Sequence, residues 1–297
     1  MTINPLISTP AADPWIVFHE GHYYFCESRA HATIHIRKSD SISKIGHDEG
    51  KLVWSPPKQG GNSKGVWAPE LHFFEGRWYI YYAADDGQNE NHRMWVLESD
   101  SSDPLGTYHC KGSLETDGWA IDGTVLSMDN GKRYFIWSGW PGAIDGQQNL
   151  YVAEMDSPFH LCSERRLLAE PTEEWERVAM PICEGPQVLR NGSRTFIVYS
   201  ASGSWTEDYC LGMMELIGQD VMNRASWQKT GPVFRKTERV WGVGHCSFVK
   251  SPCRSEDWIL FHAKSERTHG WLDRRVHAQR FDWTEDGVPQ FGTPLGS

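Results

Sequence analysis

The sequence predicts an all-β fold, a five-bladed β-propeller, on three observations: one hairpin pattern recurs five times, helical periodicity is scarce, and the copies are spaced like propeller blades. The copies are DPWIVFHEGHYYFCES (13–28), PELHFFEGRWYIYYAA (69–84), DGTVLSMDNGKRYFIWSG (122–139), EGPQVLRNGSRTFIVYSAS (184–202) and HCSFVKSPCRSEDWILFHAK (245–264). Each joins a short apolar strand to a strand dense in aromatic and β-branched residues through a turn rich in Gly, Asn, Asp or Ser, which is how a hairpin is written in sequence. Copies begin roughly 50 to 60 residues apart. That leaves room for further strands such as MWVLES (94–99) and NLYVAEM (149–155), so each unit reaches the four strands of a blade. No linker, low-complexity tract or composition shift marks a boundary, so residues 1–297 are expected to form one propeller domain.

Composition narrows the function classes. The formal net charge is −10, from 29 basic and 39 acidic residues, and no basic stripe exists to neutralise phosphates, so nucleic acid is not an expected partner. No apolar run approaches the ~20 residues of a membrane helix, and no membrane partner is expected. Residues 1–10 lack the basic and apolar regions of a signal peptide. Seven cysteines (26, 110, 162, 183, 210, 246 and 253) are an odd number without a CxxC pair, which argues against a disulfide framework and against a zinc site. Reduced thiols in a cytoplasmic protein are the expectation. Among thirteen histidines there is no HExxH, so no cofactor is required by any motif.

Blades radiate from an axis, so equivalent positions on their innermost strands converge however distant they are in sequence. Reading the register across the copies places Asp13, Glu70, Asp122, Glu184 and His245 in a ring. Strands often begin with Asp or Glu because turns favour polar residues, and any one of these positions could be structural. Five at one register point to a site, because burying unpaired charge costs several kcal/mol unless a ligand, partner or proton offsets it. Clustered carboxylates cannot all ionise cheaply, which pushes one pKa up while another stays low. Glycosidic bond hydrolysis needs such a pair: one carboxyl to protonate the leaving oxygen and one carboxylate to activate water or attack the sugar. The glycines of IDG (121–123) and CEGP (183–186) allow tight turns and close approach of a ligand.

The segments ADP (12–14), WAPEL (67–71), IDGTVL (121–126), EGPQVL (184–189), YSASGSW (199–205), GHCSFV (244–249) and FDWTEDGVPQF (281–291) together resemble glycoside hydrolase family 43 in order and over nearly the whole chain. The resemblance implies a five-bladed propeller that hydrolyses with inversion. It implies Asp13 as the general base, Glu184 as the general acid, and Asp122 as the residue that raises and orients Glu184. It also implies His245 beside a hydrated metal, calcium being the expected ion in the axial channel. The related fructoside-cleaving propellers carry NDPNG and ECP where this chain has ADPW and CEGP. The inverting reading would place the catalytic carboxyls ~6.5–9.5 Å apart.

Sugar pockets combine aromatic walls with a few fixed polar groups. Most of the fifteen tryptophans should pack between blades. Trp67, three residues before Glu70, and Trp140, after the second strand of the third hairpin, are the expected wall residues. Trp15 should point away from the axis if Asp13 points toward it, and Ser138 is expected to be satisfied by backbone. The family resemblance suggests an arginine of the fifth blade against the sugar hydroxyls, and of the adjacent pair Arg274 and Arg275 the choice is Arg275. The activity so implied is that of an exo-acting α-L-arabinofuranosidase on arabinan, arabinoxylan or arabino-oligosaccharides, with a plant cell-wall saccharide as the molecular partner. The alternatives are β-xylosidase or endo-arabinanase action and, from another class, a non-catalytic carbohydrate-binding propeller.

Overall fold

In the computed structural model, residues 2, 3, 5–267 and 269–295 are described. Their strands form five antiparallel sheets. The sheets run outward from inner strands Trp15–His19 (blade I), Lys64–Phe74 (blade II), Ala120–Ser127 (blade III), Cys183–Asn191 (blade IV) and Trp241–Lys250 (blade V). In every blade the first two strands are one of the five sequence hairpins, paired for example as Val17 with Tyr24 and Val188 with Ile197. The segments read as third strands are Arg93–Ser99 and Asn149–Ser157. Thr2–Ile3 pairs with Arg274–Trp283, so the first strand of the chain completes the last blade and locks the ring.

Strand alternation gives each sheet two apolar faces, and the core is divided accordingly. Five clusters form, each shared by two neighbouring blades. Trp78 and Tyr82 of blade II meet Tyr24 and Ile36 of blade I, Phe135 and Trp137 of blade III meet Tyr81 and Val96 of blade II, and Ile197 and Tyr199 of blade IV meet Leu150 and Val152 of blade III. Phe261 packs with Phe234, and Ile16 and Phe25 pack with Leu260, which closes the circle. Large aromatic side chains fill these wedge-shaped gaps, because a wedge widens outward and small side chains would leave voids. Blade IV also buries a charged network. Glu176, 0% exposed, accepts from Lys229 Nζ at 2.8 and 2.9 Å, from Tyr199 Oη at 2.7 Å, and from the amides of Thr172 and Glu173.

One backbone device recurs at the axis. Asp13, Ala68, Asp122, Gly185 and His245 have φ of 52, 41, 56, 53 and 45°, and in blades II to V the pairing register slips at that point. In blades II to V this is a bulge that turns the inner strand and re-aims its side chains toward the channel mouth, while in blade I Asp13 lies just before the inner strand. Four of the five are not glycine, and a left-handed non-glycine residue costs about 1–2 kcal/mol. Strain of this kind is kept where the rest of the fold fixes it, and it concentrates at functional sites.

Candidate active site

The bulges set the geometry. Asp13, Asp122 and His245 occupy the left-handed positions themselves, and Glu184 immediately precedes the one in blade IV. All four line a cavity of about 500 Å³ at one end of the axis. The fifth ring member departs from expectation: blade II puts Ala68 at the left-handed position, two residues before Glu70. Glu70 is therefore displaced from the mouth. It is buried, hydrogen-bonded to Gln187 Nε2 and 2.9 Å from His72 Nε2, and does not line the cavity.

Asp13 is the most open of the acids, with its side chain 22% exposed. Its Oδ1 lies 3.2 Å from His262 Nδ1 and 3.4 Å from both His245 Nδ1 and Arg274 Nη1. Burial would raise its pKa, but His245 and Arg274 outweigh burial and hold it well below the usual carboxylate range. Asp122 and Glu184 go the other way. Burial lifts Asp122 well above its ordinary value, the charges of Glu184 and Asp13 add to this, and the Gly185 N–H at 3.1 Å from Oδ2 opposes it. Burial raises Glu184 to about 7, against a 2.7 Å hydrogen bond from Tyr209 Oη. One cavity thus holds a carboxylate that stays ionised and a neighbouring carboxyl pair that binds a proton near neutrality.

Supporting groups fix these atoms. The backbone N–H of Asp13 donates to His262 Nδ1 at 3.2 Å, which helps hold the strained residue in place. Burial, outweighing the pull of Asp13, keeps His262 down at about 4, so its ring is neutral and able to accept. Its other face stacks on Tyr209 with centroids 5.5 Å apart and planes at 10°. The His245 N–H donates to Ser200 Oγ at 2.7 Å, and the Ser200 hydroxyl bonds to Tyr209. Gly244 makes room for the Tyr209 ring: a Cβ there would lie 2.2 Å from a ring carbon.

The wall differs from expectation at two of three positions. Trp67 lines the cavity, with its ring stacked on His92 at 3.8 Å. Trp140 does not: it is buried behind Trp119, rings parallel to within 9° at 4.7 Å, and Trp119 supplies the wall. The offset of three residues that singles out Trp67 before Glu70 also singles out Trp119 before Asp122, so this signal was present in the sequence. Arg274, not Arg275, enters the cavity. Adjacent strand residues face opposite sides, and only the strand register shows which one turns inward. Tyr209 and His262 carry no motif that would have marked them, and Trp205, although it closes the YSASGSW segment, is not singled out there as a wall residue. Trp15 points away from the cavity and donates to Leu71 O, and Ser138 Oγ is satisfied by Gln148 and Cys183 O.

Calcium favours six to eight oxygen ligands. Among the described residues no group of three or more His, Cys, Asp or Glu side chains could hold a metal ion, and His245 turns an imidazole Nδ1 toward Asp13 and Asp122. This donor set does not fit a protein-built calcium cage, and no chemical step below passes through a metal.

A propeller whose axis ends in paired carboxyls of opposite protonation under aromatic walls is built for glycoside chemistry. The profile of glycosyl hydrolases family 43 matches residues 2–289, and the chain belongs to that family. It is 33% identical over 98% of its length to an extracellular exo-α-(1→5)-L-arabinofuranosidase of Streptomyces avermitilis. It is 32% identical over 99% to α-L-arabinofuranosidase 43 of Humicola insolens. The chain spans 63% of the length of each. The crystal structure of an α-L-arabinofuranosidase from Lactobacillus brevis superposes with a TM-score of 0.93 at 34% identity, covering 99% of this chain and 97% of that one. The extracellular Streptomyces relative overturns the expected cytoplasmic location. All seven cysteines are free, as expected, but Cys26, Cys183, Cys210 and Cys246 are buried and pack as small apolar groups, so free thiols do not identify a reducing compartment.

Proposed function

We propose that the protein is an inverting, exo-acting α-L-arabinofuranosidase that removes terminal arabinofuranose from plant cell-wall arabinan, arabinoxylan or arabino-oligosaccharides. The observation that carries this reading is the contrast in one cavity between Asp13, held ionised by His245 and Arg274, and Glu184, raised to about 7. Likeness to two named arabinofuranosidases supports the choice of sugar.

In this mechanism Asp13 takes a proton from water while the water oxygen forms a bond to the anomeric carbon. The bond from that carbon to the glycosidic oxygen breaks, and Glu184 delivers its proton to the leaving oxygen. Free arabinose of inverted configuration and a chain shortened by one unit are the products. Asp13 then returns its proton to solvent and Glu184 takes one up. Burial and the charge of Asp13 keep Glu184 protonated, while Asp122, itself raised, accepts from the Gly185 N–H and fixes the backbone beside the acid. Trp67 and Trp119 pack against the apolar ring face, and Arg274 both depresses Asp13 and offers donors to sugar hydroxyls.

The test is turnover of an aryl α-L-arabinofuranoside against an aryl β-D-xylopyranoside, with the first product anomer followed by NMR. The arabinoside should be preferred and the inverted anomer should appear first. Glu184→Gln should lower kcat by roughly 10²–10⁴ while leaving the fold intact. Xyloside preference would reassign the sugar, and unchanged turnover in the variant would remove Glu184 from the mechanism.

A further inference from the structure

The rim of the cavity is asymmetric. On the side of blades IV and V, the loop 202–209 is fastened to residues 267 and 269–273. The Gly270 N–H donates to Trp205 O at 2.7 Å. Lys264, whose side chain is buried, donates from Nζ to Trp205 O at 2.9 Å and to Gly270 O. Glu207 accepts from Lys236 at 2.6 Å and from Arg267 at 2.5 and 2.8 Å. Burying an ammonium is costly unless its donors are satisfied, and here they are satisfied by the backbone of two rim loops.

What this lacing holds in place is apolar. Trp205 and Trp271 both line the cavity and meet edge to face at 5.9 Å, with Trp271 Nε1 donating to Ser204 Oγ at 3.1 Å. Trp271 remains 52% exposed and the next residue, Leu272, 92% exposed. An indole held half in water by fixed hydrogen bonds has the form of a ligand surface, because its apolar area is left unburied while its N–H is already paired. The same ledge is tied to the reacting end: Arg274 Nε donates to Trp271 O at 3.2 Å while its Nη1 reaches Asp13 Oδ1.

We propose that Trp205 and Trp271 form a platform for the sugar unit on the leaving-group side, so that the protein favours α-linked arabino-oligosaccharides over arabinosides with a small aglycone. This rests on the glycosidase reading above. Glu184 must face the leaving oxygen, and it sits on the inner strand of blade IV against Tyr209, at the end of the same loop that carries Trp205. The leaving sugar therefore emerges toward the blade IV and V rim, where its apolar face meets the two indoles.

The experiment compares kcat/KM for α-1,5-linked arabinotriose and for methyl α-L-arabinofuranoside in the wild type, Trp271→Ala and Trp271→Phe. Trp271→Ala should lower the triose-to-methyl ratio roughly ten- to thirtyfold, mainly through KM, and Trp271→Phe should recover most of it. Arabinotriose binding to Glu184→Gln protein, by calorimetry with and without Trp271→Ala, reads the platform without turnover and should weaken by a similar factor. An unchanged ratio with unchanged binding would overturn the platform, as would equal losses on both substrates. If the wild type cleaves neither glycoside, the glycosidase reading fails, and the calorimetric arm still decides whether the ledge binds the saccharide.

Discussion

Replacing Tyr209 by Phe removes one hydroxyl and should move the alkaline limb of activity upward. The Tyr209 proton has one acceptor, since the phenol oxygen is bonded by the Ser200 hydroxyl and its own hydrogen points to Glu184 Oε1 at 2.7 Å. A hydrogen bond to a charged group contributes about 1.5–3 kcal/mol, and it favours the ionised form of Glu184. At about 1.36 kcal/mol per unit, its loss should raise the pKa by roughly one to two units. The limb would then move from about 7 to roughly 8–9, as the apparent value of the Asp122–Glu184 pair. The sign is fixed by the acid role: a carboxyl that holds its proton to higher pH stays active to higher pH. Phenylalanine keeps the ring that stacks on His262, so the scaffold should persist. The assay is kcat/KM from pH 4 to 10 on an alkyl arabinoside, whose poor leaving group needs the acid. The acid side should stay flat through pH 4 in both proteins, because Asp13 is held well below the usual range. A limb that stays put or moves down, with the fold intact by circular dichroism, would refute the reasoning.

Two further outcomes follow from packing. Gly244→Ala would place a Cβ 2.2 Å from the Tyr209 ring, so the ring must shift; overpacking of this kind costs about 1–3 kcal/mol. Both melting temperature and kcat should fall, and a variant with wild-type values on both would show that the ring has room. Lys229→Met leaves Glu176 buried without its ammonium partner, a change worth about 3–5 kcal/mol. For a chain of this size that lowers the melting temperature by roughly 5–15 °C, read by calorimetry. A drop below about 1 °C would show that the ion pair does not stabilise the fold, while the pH profile of the surviving activity should be unaltered, since the pair lies outside the cavity.

The sequence by itself determined the blade count, the five hairpins and the convergence of Asp13, Asp122, Glu184 and His245. Strand alternation and turn chemistry are local, and a repeat fixes equivalent positions without any coordinates. The left-handed positions at the axis were not legible, because such a residue at Asp13 or His245 leaves no mark in composition. Their register moved Glu70 two places from the mouth. It also took tertiary structure to choose Arg274 over its neighbour and to set Trp119 in front of Trp140, since which of two adjacent or stacked side chains faces a cavity depends on the pairing of distant strands. Tyr209 and His262 become part of the site only through contacts 25 and 249 residues away in sequence. The pKa contrast is likewise a property of the assembled fold: the same carboxyl in water would titrate near its ordinary value, and only burial on one side and the flanking His245 and Arg274 on the other drive Glu184 and Asp13 apart.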